Sequence, residues 1–220
     1  MHYGLKIKAP GLYMKKLLHI IATPREEESR TLQVSLPFLE IFKKNHPDWI
    51  IDELHLEKEQ LPTLGIKNVN GKYVLLEGKE LFGPLRDAWI EIIQHIDRFL
   101  SADIYLISTP MWNFSIPYTL KQYIDIIVQP QYLFRYTDQG IEGLVKNKKM
   151  IVITSRGGQY NSKETSPLDF QEPYLRAIFG FIGITDITFI KAEPMDQDKV
   201  IQKQKIQEAI ANAKQLAGKL

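Results

Sequence analysis

The chain predicts a doubly wound α/β fold, with a five-stranded parallel sheet in the order 2-1-3-4-5 and helices on both faces. Three observations carry that expectation. Short apolar runs alternate with helical periodicity from end to end. The runs are apolar on both faces, as strands are when helices cover both sides of a parallel sheet. A length of 220 residues with 44% hydrophobic content is enough for one sizeable core.

The elements follow in order. Residues 17–22 read as the first strand and 49–56 as the second, and 104–108, 150–154 and 184–190 supply three more. Ser29 and Thr31 stand where the first helix should begin. Leu81, Leu85, Trp89, Ile92, Ile96 and Phe99 recur at steps of three and four, the stripe of one amphipathic helix. Leu120, Tyr123, Ile124 and Ile127 repeat the pattern, and residues 174–182 and 200–216 complete the helices. Two stretches break the alternation. Residues 65–83 carry Asn70-Gly71, a turn signal, and are expected to form a surface insertion. Residues 131–145, with Tyr132, Phe134 and Tyr136, are expected to form an irregular excursion or hairpin whose aromatics face a ligand or a second subunit. The domain is placed at residues 15–220, with residues 1–14 as an N-terminal extension. Met14, before Lys15-Lys16, is a candidate start, and residues 1–13 are given no chemical role.

Composition narrows the function. A formal charge of +2, without a basic cluster interleaved with aromatics, argues against nucleic acid as a partner. The absence of cysteine excludes disulfides, thiolate zinc sites and cysteine catalysis, and it suits a cytoplasmic protein. No apolar run reaches the ~18–20 residues that span a membrane, and the first residues lack the pattern of a secretory signal.

In this flavodoxin-like arrangement, ligands bind beyond the carboxyl ends of the strands, where the strand order reverses. Function is therefore expected in the loops after strands 1, 3 and 4. The first reads Thr23-Pro-Arg-Glu-Glu-Glu-Ser-Arg-Thr31. Its hydroxyls and the free amides of the following helix suit an anion, and a helix N-cap explains Ser29 equally well. The three glutamates oppose a phosphate unless they face solvent, and Arg25 and Arg30 offset part of their charge. Neither a GxGxxG nor a GxxxxGK[ST] motif is present. After strand 3 come Met111, Trp112, Asn113 and Phe114 between Pro110 and Pro117. Composition alone favours core packing for Met111, Trp112 and Phe114. Asn113 argues the other way, since a heterocycle would partner a buried amide. The third loop, Thr154-Ser-Arg-Gly-Gly-Gln-Tyr160, has a glycine pair that lets the backbone approach a ligand or simply makes a tight turn. One loop suited to a phosphate and two suited to a flat polar ring together describe a mononucleotide of the flavin type.

Pro110-Met-Trp-Asn-Phe114, Leu120-Lys-Gln-Tyr-Ile-Asp125, Phe134-Arg-Tyr-Thr137, Gly143-Leu144, Ile151-Val-Ile-Thr-Ser-Arg-Gly-Gly158 and Phe179-Gly-Phe-Ile-Gly-Ile184 resemble the FMN-dependent NADH-azoreductases, also described as FMN-dependent NADH:quinone oxidoreductases. The resemblance implies that Thr23, Ser29, Arg30 and Thr31 hold the FMN phosphate. It places Met111, Trp112, Asn113 and Phe114 against the isoalloxazine ring, with Ser155, Arg156, Gly157 and Gly158 as the second ring loop. Thr23, where serine is usual, Trp112, where tyrosine is common, and the Glu26, Glu27, Glu28 triplet depart from the pattern. The resemblance also implies a ping-pong cycle in which NADH reduces FMN and a quinone or azo compound reoxidises it, a homodimer with active sites near the interface, and no catalytic side chain. His19, His46, His55 and His95 are accordingly read as structural. A flavodoxin-like electron carrier and a cofactor-free binding protein are the alternatives on the same fold.

Overall fold

The computed structural model describes residues 14–220; the expected extension, apart from Met14, lies outside the described residues. In chain order the strands are β1 (Lys16–Ile21), β2 (Ile50–His55), β3 (Ile104–Pro110), β4 (Phe134–Thr137), β5 (Gly140–Gly143), β6 (Lys149–Ser155) and β7 (Asp186–Ala192). The helices are α1 (Arg30–Asn45), α2 (Ile66–Leu76), α3 (Gly83–Ala88), α4 (Ile90–Leu100), α5 (Tyr118–Ile127), α6 (Glu172–Phe181) and α7 (Lys199–Ala217). The main sheet is parallel throughout, in the order β2-β1-β3-β6-β7, and β4 and β5 form a separate antiparallel hairpin. Setting the hairpin aside, this is the expected 2-1-3-4-5 order.

Strand alternation builds a core on each face. Leu17, Leu106, Ile151 and Ile153 meet Val34, Phe38 and Phe42 of α1 and the Ala209, Ala213, Ala217 row of α7. Leu18, Ile20, Tyr105, Ile107 and Val152 meet α4, α5 and α6 on the other side. The expectation of strands apolar on both faces holds for β1, β3 and β6. The edge strand β2 is half exposed, and its Asp52 binds Arg98 at 2.8 Å.

Three local readings change. Asn70-Gly71 is not a turn but lies inside α2. A Cβ at residue 71 would collide with the indole of Trp89, so the glycine serves close packing of α2 on that ring. The single stripe through residues 81–99 is broken into α3 and α4 at Trp89. There the buried indole donates to the Asn68 carbonyl at 3.1 Å, while Asn68 Nδ2 donates to the Ala88 carbonyl at 2.7 Å. The hairpin aromatics also divide. Tyr132 stacks on Trp89 and Phe134 packs buried against Phe181, so only Tyr136 stands exposed.

His19 is fully buried in β1, with Nε2 2.8 Å from the Ser108 hydroxyl and Nδ1 unpartnered. Burial, aided by repulsion from His55, pushes its pKa down to about 3. The unfolded chain takes up this proton near pH 6.5 and the folded chain does not. Stability is therefore expected to fall as pH drops from about 6.5 toward 3, by up to about 1.4 kcal/mol per unit. Urea denaturation at pH 7 and pH 5 should show a loss of about 2 kcal/mol that His19→Gln abolishes. An equal loss in the variant would assign it to other groups.

Candidate functional site

The loops after β1, β3 and β6 converge at the carboxyl ends of the central strands. They enclose a cavity of about 190 Å³ lined by Thr23, Arg25, Ser29, Arg30, Pro110, Met111, Trp112, Ser155, Arg156, Gly157 and Asp196. A wider cavity of about 420 Å³ adjoins it across Trp112 and is lined by Asn113, Ser115, Tyr118, Lys121 and Tyr174 among others.

In the first loop, Ser29 is the N-cap of α1, its Oγ accepting from the Leu32 amide at 3.3 Å. The same oxygen lies 2.9 Å from Thr31 Oγ1, and both side chains are buried. The cap reading of Ser29 is thus correct, and it is compatible with an anion site, because the amides of Arg30 and Thr31 have no carbonyl one turn back to bind. The glutamates do not crowd this helix end. Glu26 pairs with Lys58 at 2.7 Å and Glu28 with Arg25 at 3.0 Å, all exposed.

The second loop is a tight turn. Trp112 and Ser115 exchange two backbone hydrogen bonds of 2.9 Å, and the residues between them have positive φ, +47° at Asn113 and +68° at Phe114. A bulky residue in that region costs about 1–2 kcal/mol, and such strain clusters where side chains are held for a ligand. The turn throws Trp112 and Phe114 outward, 37% and 45% exposed, while Ile116 and Pro117 anchor it from below. Core packing, which composition favoured, is therefore not what these rings do. Phe114 meets Tyr160 edge-on at 6.3 Å.

In the third loop, the Gly157 carbonyl accepts from the amides of Met195 and Asp196, each at 2.9 Å. A Cβ on Gly157 would strike the Asp196 carboxylate, whereas one on Gly158 would meet only Tyr160 at ordinary distance. The carboxylate is the exposed end of a flexible side chain that can turn aside, so space alone requires neither glycine. Arg156 lines the cavity, but its side chain is 1% exposed and bound inside the protein. Its Nη1 donates to Asp169 at 2.8 Å and its Nε to Gln171 at 3.1 Å, with Glu172 and Glu193 within 4 Å. Burial raises the Glu193 carboxyl above the usual range, against the pull of Arg156.

The structure thus brings Thr23, Ser29, Arg30, Met111, Trp112, Ser155, Arg156 and Gly157 to one cavity. Thr31 supports Ser29 from beneath, Asn113 borders the adjoining cavity, and Phe114 and Gly158 lie beside Tyr160. Sequence reasoning missed Asp196 and Gln171. Asp196 follows the last strand at its carboxyl end, a position the topology flags; Gln171 carries no sequence signal.

A sequence profile described as flavodoxin-like fold matches residues 15–217. The FMN-dependent NADH:quinone oxidoreductase of Desulfotalea psychrophila is 39% identical over 92% of this chain and 98% of its own length. That of Clostridium perfringens is 40% identical over 94% of this chain and 100% of its own. The chain belongs to this family. Among solved structures, an azoreductase from Bacillus anthracis superposes on it with a TM-score of 0.85 at 29% identity, covering 94% of this chain and 100% of that one. An FMN-dependent NADH-azoreductase from the same species, crystallised in complex with FMN, gives 0.83 at 28% identity over 93% and 99% of the two chains. In this NADH:quinone oxidoreductase family member, the Trp112 indole lines the cavity and the acidic turn stands immediately before Ser29 and α1.

Proposed function

We infer that this protein is an FMN-dependent NADH:quinone oxidoreductase that also cleaves azo compounds reductively. The observation that carries the reading is the convergence on one cavity of a hydroxyl-bearing helix N-terminus, a strained aromatic turn and a glycine loop. These donors fit FMN. The Ser29 hydroxyl, steadied by Thr31 beneath it, with the first amides of α1, Thr23 and Arg30, would hold the phosphate. Met111, Trp112, Asn113 and Phe114 on one side, and Ser155, Arg156, Gly157 and Gly158 on the other, would hold the ring.

When bound, FMN supplies the two-electron chemistry, accepting from NADH and giving to a quinone or azo acceptor. The chain's own residues contribute binding, orientation and exclusion of water. Ser155 is nearly buried, and backbone amides of its loop can oppose negative charge. The Trp112 and Phe114 faces are apolar surface for flat reactants.

The purified protein should show a flavin spectrum that NADH bleaches anaerobically and a quinone restores. A bound flavin that NADH does not bleach would instead mark an electron carrier, and a colourless protein that takes up no FMN would mark a binding protein. Ser29→Ala tests the phosphate site separately. It removes a hydrogen bond to a charged group, about 1.5–3 kcal/mol, so FMN affinity should fall roughly ten- to hundredfold while riboflavin affinity stays unchanged. Equal weakening of both would move the phosphate elsewhere.

The proposal extends to a homodimer in the cytoplasm. Supporting the dimer, Tyr136 and Ile141 on the hairpin and Phe170 beyond β6 expose 60%, 52% and 58% of their surface. Supporting the compartment are the NADH donor and the cysteine-free sequence. Light scattering should give twice the chain mass, and a fully active monomer would rule the dimer out.

A further inference from the structure

Gln171 is fully buried, yet it lies outside the cavity and outside all three loops. Its side-chain nitrogen donates to the Pro110 carbonyl at 2.8 Å. Its oxygen accepts from the Thr154 hydroxyl at 2.6 Å and from Arg156 Nε at 3.1 Å. Pro110 ends β3 immediately before the aromatic turn, and Thr154 and Arg156 flank Ser155 at the end of β6. One amide is therefore bonded to both ring-side loops. The partners dictate its orientation, since a flipped amide would set N–H against the Arg156 N–H and oxygen against the Pro110 carbonyl.

The flanking residues tighten the same junction. Asp169 Oδ1 accepts from the amides of Gln171 and Glu172 at 3.0 Å, and its Oδ2 accepts from Arg156 at 2.8 Å. The Phe170 amide donates to the Phe114 carbonyl at 3.0 Å. Residues 169–171 thus grip the aromatic turn at one end and the glycine loop at the other. Arg156 Nη2 is left without a hydrogen-bond partner, but the bonds centred on Gln171 and Asp169 join the two loops in a buried setting, where such bonds rigidify what they connect, and a site on loops needs a supporting shell of this kind.

We propose that Gln171 is a positioning residue that sets the spacing between the aromatic turn and the 155–158 loop, so that a ring held by one is presented correctly to the other. Its meaning for catalysis rests on the FMN reading above, but the spacing itself does not. Gln171→Glu keeps an oxygen for Thr154 and Arg156 and replaces only the donor to Pro110. In the FMN-free variant, hydrogen exchange at the Met111 and Trp112 amides should accelerate about tenfold, with α4 and α7 unchanged. The FMN dissociation constant should rise by about the same factor, as expected for one buried hydrogen bond, and the flavin midpoint potential should move. Thr154→Val, which removes one hydroxyl at nearly constant volume, should shift exchange and affinity the same way by about threefold. It decides the matter if the first variant does not fold. Wild-type exchange at Met111 and Trp112 in the folded variants would overturn the proposal. A wild-type protein that binds no FMN would instead sink the function reading, and the exchange comparison would still judge Gln171.

Discussion

Trp112→Ala is expected to weaken FMN binding by one to two orders of magnitude while leaving the melting temperature of the FMN-free protein within about 2 °C of wild type. The indole is 37% exposed and stands on a turn held by its own backbone bonds to Ser115. Its removal therefore opens no core cavity, and the fold loses little. Toward a ligand the case reverses, because stacking of a flat heterocycle on an aromatic side chain is worth about 1–3 kcal/mol, or roughly ten- to hundredfold in affinity. Trp112→Tyr should recover most of the binding, since a phenol ring offers the same flat face. Fluorescence titration of the apoprotein with FMN, alongside calorimetric melting, measures both quantities. A large drop in melting temperature with unchanged FMN affinity would make Trp112 a structural residue and remove the aromatic turn from the site.

Gly143→Ala is expected to destabilise the protein by about 2–4 kcal/mol, the range of severe overpacking. For a chain of this size that lowers the melting temperature by roughly 5–15 °C. A Cβ at residue 143 would overlap the backbone of Ile182 and Gly183, and no rotamer change can relieve a clash with main chain. Gly183 is bound to the same junction, because its φ of +107° and its closeness to the Val145 carbonyl and to Gly143 both exclude a side chain. The two glycines let the β4–β5 hairpin lie directly on the end of α6, where Val145 donates its amide to the Ile182 carbonyl at 2.9 Å. Thermal melting of the variant tests this, and a shift under 2 °C would show that the hairpin yields freely. Gly78→Ala is the contrasting control, since it meets only the strain of a positive φ in open space.

The fold was legible because its signals are local. Apolar runs and three-to-four periodicity locate every strand of the main sheet, and boundary errors of one or two residues leave the order unchanged. The misreadings came where a residue served a distant partner. Gly71 resembles a turn signal in Asn70-Gly71 but is small for the sake of Trp89, eighteen positions away, and Trp89 in turn breaks a stripe that reads as one helix. The site was legible for similar reasons. Ser29, the Met111–Phe114 run and Gly157-Gly158 each follow an apolar strand, so topology alone assigns them to one edge. Gln171 was not legible, because a glutamine before a helix has no pattern that distinguishes a buried junction from a solvated surface.

The sequence by itself determined the strand order, the three loops that converge on one cavity and the family, since these depend on residue types at short spacing. Only the tertiary structure decided that Ser29 both caps α1 and meets Thr31, and that Glu26 and Glu28 pair with Lys58 and Arg25. Only the tertiary structure, likewise, turned Trp112 and Phe114 outward and the Arg156 side chain inward. Each of those outcomes is set by which group lies within about 3–4 Å of another across the fold, the range over which hydrogen bonds and ion pairs act, and chain order does not record that distance.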